Sequence, residues 1–553
     1  MRQGGRILVD QLVIHGSELA FCVPGESYLP VLDALSDVQD KIKLITCRHE
    51  SGAANMAEAH GKLTGTPGLC FVTRGPGATH ASVGVHTAYQ DSTPMILFIG
   101  QVDSRFLERE GFQEIDYRRM FGPLAKWVAQ IEHTERIPEF VARAYQVATS
   151  GRMGPVVLAL PEDILFANAS VADAWSWQRV ESAPTPAAIK RLTTLLSGAK
   201  RPFLIVGGSG WNRDACADLR RFVETQDLPV GCAFRFQDLV NNTHPNYAGD
   251  VGVGISPELA ARIKESDLLI AIGARLGEMT TSGYELVKAP IPEQGLVHIH
   301  ASPEELGRVY QADLMINATM PAAMQVLAAL PRITRADVGS TAAQAHSALL
   351  AWQGRREIPG PVQLWDVLHH LNQILPADAI VTNGAGNYAG WVQRFYRYRD
   401  IRTQLAPTSG AMGYGVPAAI AAKLAQPERT VICFAGDGCF LMSGQELATA
   451  VQYRANVVFI VVNNGMYGTI RMHQEREYPG RVIGTSLVNP DFTAYARSFG
   501  AHAELVESTE GFAPAFDRAL ECGKPALLEL RVDPEGITPN ATLSAIRKAA
   551  LQR

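Results

Sequence analysis

The chain of 553 residues is too long for a single hydrophobic core, so about three domains are expected. With 47% hydrophobic and 19% charged residues, 49 glycines and a net charge of −5, it reads as a compact, glycine-rich α/β protein, which excludes the disordered, fibrous and nucleic-acid-binding classes. No apolar run reaches membrane-spanning length, residues 1–20 lack a signal-peptide pattern, and the eight scattered cysteines read as buried thiols, so a cytoplasmic protein with no membrane partner is expected.

In chain order, a helical pattern over Gly5–His15 precedes a strand over 19–23 that ends at Pro24-Gly25-Glu26-Ser27. A second strand, 43–47, leads through Arg48-His49-Glu50-Ser51 into a helix of small residues, and a third, 69–73, ends at Arg74-Gly75-Pro76-Gly77. Strands over 95–100 and 155–160 complete an expected first domain, residues 1–170. Glu50 falls in the first turn of its helix, where a carboxylate favours the helix dipole. The small apolar residues that follow also predict burial, which raises a carboxyl pKa and fits it to share a proton. His86 reads first as a core histidine and second as a proton shuttle.

Residues 171–189, which contain Pro, Ala and Ser and have little periodicity, read as a linker. A middle domain, 186–335, repeats the alternation, with strands over 203–206, 268–272 and 296–299; the first two lead into Gly207-Gly208-Ser209-Gly210 and Gly273-Ala274-Arg275. A second linker is expected from about 333 to 361, then a third domain over 360–535 and a tail, 536–553, that either lies over a site or frays. The fold expectation is α/β, three doubly wound parallel-sheet domains. A short echo between Gly154-Pro155-Val156-Val157-Leu158 and Lys524-Pro525-Ala526-Leu527-Leu528 is consistent with one architecture in both outer domains.

The third domain carries the most informative stretch. An apolar run, 431–435, stops at Gly436-Asp437-Gly438; a helix follows over about 443–453, with Ser443 and Glu446 at capping-box spacing. A second run, 457–462, ends at Asn463-Asn464. Parallel strands of one βαβ unit place Asp437 and Asn464 on the same sheet edge, where a carboxylate and an amide oxygen beside glycine-rich backbone suit Mg2+ and a diphosphate.

Gly436-Asp437-Gly438, about twenty-five residues and then Asn463-Asn464 resembles the thiamine diphosphate signature. The whole chain resembles thiamine-diphosphate-dependent enzymes of the acetolactate synthase and benzoylformate decarboxylase superfamily, with pyrimidine-binding, central and diphosphate-binding domains in that order. The resemblance implies thiamine diphosphate and Mg2+ as cofactors. It implies side-chain ligation of Mg2+ by Asp437 and Asn464, and carbonyl ligation by Met466. Gly436, Gly438 and Cys439 would meet the diphosphate, Tyr467 and Gly468 would pack beside it, and Gly386, Asn387 and Tyr388 would form a second contacting loop. In Ser409-Gly410-Ala411-Met412, Gly410 and Met412 would prop the cofactor. Glu50 would hydrogen-bond the aminopyrimidine ring, Gln113 would contact substrate or cofactor, and Lys126 would line the substrate pocket.

The implied activity is decarboxylation of a 2-keto acid and ligation of the enamine to a second carbonyl, in a homodimer or homotetramer with active sites between subunits. A non-ligating decarboxylase and a 2-hydroxyacyl-CoA lyase are alternatives. A dinucleotide-binding oxidoreductase is a different-class alternative, against which the G-x-G-x-x-x-G spacing from Gly384 counts. Departures from the acetolactate synthase pattern concern substrate and flavin. His473 stands where those enzymes carry Trp, Glu26 replaces a small residue, and Ser27 resembles decarboxylases of aromatic keto acids. His298-Ile299-His300 lacks the acid expected of a ribose contact, so FAD is doubtful while Gly273-Ala274-Arg275 keeps an adenine ligand open.

Overall fold

A computed structural model describes residues 1–335 and 341–552. Three six-stranded sheets, parallel in every pairing, form the domains. In the first, the strands Leu19–Cys22, Lys43–Thr46, Gly68–Val72, Met95–Gln101, Trp127–Gln130 and Pro155–Pro161 lie side by side in the order 2-1-3-4-6-5, counted along the chain. The third repeats that order with Ile380–Asn383, Gln404–Leu405, Val431–Gly436, Val458–Asn463, His502–Val506 and Ala526–Arg531. The central domain differs: Pro202–Val206, Val230–Ala233, Tyr247–Val251, Leu268–Ile272, Gly295–His300 and Leu314–Asn317 run 3-2-1-4-5-6. Each order reverses beside its first strand, opening a crevice there at the carboxyl ends of the strands.

The central strands of each sheet are short continuous apolar runs, because helices cover both faces and leave no solvent side to alternate toward. The outer domains share one core. The helix Glu50–Thr64 of the first packs on Gly415–Ala425 of the third, and both are lined with alanine, which lets the helices approach closely. The echo noted in sequence is thus part of a full repeat of topology.

Several expectations are corrected. The segment expected as a second linker holds the helix Ala342–Trp352, started by a true capping box of Thr341 and Gln344 and packed on Tyr247–Val251; residues 336–340 of that expected linker lie outside the described residues. Ser443 forms no cap: its hydroxyl donates to the Gly413 carbonyl, and the expected single helix is split into Asp437–Phe440, a 3-10 turn at Gly444–Glu446 and Leu447–Gln452. His86 is exposed, not in the core. All eight cysteines are free thiols, six of them buried. Among the described residues no helix is long and apolar enough to cross a membrane.

Candidate active site

At the crevice of the third domain, Val431–Gly436 pairs with Val458–Asn463 so that Gly436 faces Val462. That register delivers Asp437 and Asn464 to the same edge. Asp437 opens the short helix Asp437–Phe440 and is 2% exposed. Burial raises its carboxyl pKa, opposed by a hydrogen bond from Asn489 and by backbone N–H groups of Gly438, Gly465 and Met466. Asn489 Nδ2 donates to Asp437 Oδ2 at 2.7 Å and to Asn463 Oδ1 at 2.9 Å, tying the two strand ends together, while its own buried Oδ1 has no partner among the described residues. A buried carboxylate without a paired cation beside two amide side chains is a donor set that fits a divalent ion.

A cavity of about 260 Å3 opens over this edge. Gly436, Asp437, Gly438, Cys439, Asn464, Met466, Tyr467 and Gly468 line it together with Gly386, Asn387, Tyr388, Gly410 and Met412. All its walls come from residues 364–537. Backbone crowding explains the glycine at 438, where a Cβ would lie 2.5 Å from the Tyr467 ring. Beneath the cavity the Cys439 thiol accepts from the Tyr388 hydroxyl at 3.3 Å and from Gly413 N–H at 3.2 Å, and Tyr388 also accepts from Gly384 N–H. Three loops are thereby fixed to one sulfur. Asn387 Oδ1 accepts from the Thr469 hydroxyl at 2.9 Å, and the tail contributes buried Ile537 to the wall. The tail does not fray: Arg547 of its helix Leu543–Leu551 forms a two-pronged ion pair with Glu475.

Glu50 lies elsewhere. It starts the helix Glu50–Thr64, whose N-cap is His49, and it does not line the cavity of its own chain. Its side chain is 13% exposed, and Oε2 is 2.9 Å from His80 Nδ1. The buried Glu446 of the third domain accepts from the N–H groups of Arg48 and His49, each at 3.0 Å, and from the Thr449 hydroxyl. It thereby holds the turn that presents Glu50. Gln113 sits beside Gly75 in the same region at φ 65°, with a buried Oε1 that has no partner among the described residues.

The substrate-pocket residues expected from sequence are placed differently. Ser27 is fully buried, its hydroxyl 2.9 Å from that of Thr73, so it braces the Pro24–Ser27 turn instead of facing a cavity. Glu26 is exposed and 3.6 Å from Arg74. Lys126 donates to the carbonyls of Val147 and Ser150, closing the end of the helix Ile137–Thr149. His473 is on the exposed face of the helix Gly468–Glu477 and does not line the cofactor cavity. The sequence assigned Glu446 to a capping box and gave His80 and Asn489 no role, since each acts on a residue at least 30 positions away.

Three family models match the chain: the thiamine pyrophosphate enzyme N-terminal TPP binding domain over residues 2–120, the central domain over 189–329 and the C-terminal TPP binding domain over 384–530. Among curated relatives, the acetolactate synthase isozyme 2 large subunit of Escherichia coli K12 is 30% identical over 100% of this chain and 99% of its own length. The acetolactate synthase large subunit of Corynebacterium glutamicum is 32% identical over 96% of this chain and 86% of its own. That of Lactococcus lactis is 32% identical over 91% and 88%.

Proposed function

The chain belongs to the thiamine pyrophosphate enzymes and is acetolactate synthase-like, and from that premise we propose that it uses thiamine diphosphate and Mg2+ to decarboxylate a 2-keto acid and join the remaining acyl unit to a second carbonyl. The observation that carries this reading is the cavity at the crevice of the third domain, with Asp437 and Asn464 at its floor and apolar residues such as Met412 and Ile537 in its walls.

When bound, thiamine diphosphate supplies the electron sink for loss of CO2. Asp437, Asn464 and the Met466 carbonyl would hold Mg2+, and the N–H groups of Gly438 and Cys439 would bind the diphosphate. Met412 would support the cofactor, and Tyr467 would pack beside its diphosphate. Glu50 would hydrogen-bond the aminopyrimidine and serve as its proton partner. Because His80 occupies Oε2, Oε1 is the oxygen left for that exchange. Since no residue of the first domain lines the cavity, Glu50 comes from a second subunit, and the active unit is a homodimer or a dimer of dimers. Gln113 lies on the approach to Glu50 and contacts substrate there.

Incubation with pyruvate, thiamine diphosphate and Mg2+ is expected to give a hydroxy-keto acid. An aldehyde as sole product would replace ligation with simple decarboxylation, and failure to bind thiamine diphosphate while binding NAD(P) would remove the reading. Mass analysis of bound cofactors in the same preparation decides on FAD, which the proposed chemistry does not require.

A further inference from the structure

Between the central and third domains lies another cavity, of about 300 Å3, which shares Gly386 and Asn387 with the cofactor cavity. Its central-domain wall carries Arg235 and Asp250, each at the carboxyl end of its strand, where this class of sheet binds ligands. Arg235 is 5% exposed and has a left-handed backbone, φ 68°, which is costly for a residue other than glycine. Its Nε and Nη1 are buried and have no hydrogen-bond partner among the described residues; the Phe234 ring, 4.8 Å from the guanidinium carbon, is a weak substitute. A guanidinium held out of water without an anion is among the costliest arrangements a fold can keep.

Asp250 does not meet that need. Its Oδ2 accepts from Gln393 Nε2 at 2.5 Å, and its buried Oδ1 has no partner among the described residues. Burial pushes its carboxyl up to about 7 against the opposing pull of Gln393 and Arg235, so near neutrality it is only partly charged. One cavity therefore holds guanidinium donors and a carboxyl oxygen that are unpaired among the described residues. On the opposite side, Arg394 stacks on Trp352 at 3.5 Å and donates to Asn540 of the tail, which closes the rim.

We propose that this cavity is a second binding site, for a small monocarboxylic acid whose carboxylate lies on Arg235 and whose adjacent hydroxyl or N–H donates to Asp250 Oδ1. Nη2 shares one edge of the guanidinium with Nε and the other with Nη1, so a carboxylate takes two parallel bonds along either edge. A phosphate bears more negative charge than a carboxylate and is repelled more strongly by the charged fraction of Asp250, so it fits poorly beside that side chain. The site is distinct from the cofactor cavity, with which it shares only Gly386 and Asn387.

The test uses holoprotein loaded with thiamine diphosphate and Mg2+, titrated calorimetrically with oxamate, an unreactive acid that has a carboxylate and a neighbouring amide N–H. Arg235→Met is expected to remove one oxamate-binding event, or weaken it at least about tenfold, with thiamine diphosphate affinity unchanged. Asp250→Asn is expected to admit inorganic phosphate, which wild type binds more weakly than oxamate. Unchanged oxamate binding in Arg235→Met, or wild-type binding of phosphate as tight as of oxamate, overturns the proposal. If Arg235→Met does not fold, a wild-type crystal soaked in oxamate decides: a carboxylate within hydrogen-bond distance of Arg235 supports the site, and ordered water alone there refutes it. A raised KM for the acceptor acid in Arg235→Met would identify the ligand as that substrate. An unchanged KM with loss of the response to added oxamate would identify it as an effector. Lack of turnover with pyruvate would count against the proposed reaction and leave the binding result intact.

Discussion

The two outer domains fold the same six-stranded sheet in the same order, yet use it in opposite ways. In the third, the crevice where the order reverses is open, and Asp437 stands at its edge. In the first, the equivalent crevice is filled: Ser27 and Thr73 bond across it beneath Gly100, and the acid of interest sits on the helix after the second strand, Lys43–Thr46. One topology thus provides a cup in one domain and a projecting carboxylate in the other, and a Glu446 side chain links them by holding the Glu50 turn. What differs is the loop chemistry at the strand ends, glycines and amides in one case and packed hydroxyls in the other.

The largest effect expected is at the projecting carboxylate. Glu50→Gln should lower kcat by about 10^3-fold or more, with thiamine diphosphate binding retained, as single-turnover assays would show. Wild-type turnover would make the two domains alike in having no catalytic acid there. Next is the link itself: Glu446→Gln leaves the Arg48 and His49 N–H groups short of a charged acceptor, which should cost about 2 kcal/mol in denaturant unfolding and lower kcat about tenfold. A fall in stability with kcat unchanged would confine Glu446 to packing.

The interface between the outer domains also contains Glu58, fully buried and accepting from the hydroxyls of Thr93 and Tyr414. Burial first, then the nearby Asp91, pushes its pKa up to about 7, against Lys62 and those two hydroxyls. A carboxyl raised in the folded state binds more protons than in the unfolded one, so its contribution to stability is greatest below about 4.5 and declines as pH rises toward 7. Glu58→Gln should flatten the fall in stability between about pH 5 and 7 by roughly 2 kcal/mol. The smallest effect belongs to the tail, where Arg547→Ala leaves Glu475 its bonds to Arg471 and Gly480 N–H. That change should cost about 1 kcal/mol or less and appear as faster proteolysis after residue 536.

The parts legible in sequence were those with local signatures. Val431–Gly436 and Val458–Asn463 are apolar runs ending in turn residues, so the Asp437–Asn464 pairing followed from parallel-strand geometry alone. Strands such as Val230–Ala233, Tyr247–Val251 and Leu314–Asn317 escaped because they are short and interrupted by glycine or polar residues, and only their neighbours in the sheet make them strands. The capping box read at Ser443 failed for a related reason: Glu446 is drawn to the turn of another domain, a partner 397 positions away. Arg235 and Asp250 carry no motif at all, since their interest lies in what they lack as partners.

The most direct test of the central claim mixes two inactive chains, Glu50→Gln and Asp437→Ala, under conditions that exchange subunits. If the cup of one subunit works with the carboxylate of another, half the dimers are hybrids with one intact site each, and activity should recover to about a quarter of wild type. Hybrid dimers verified by mass that remain inactive would contradict the account.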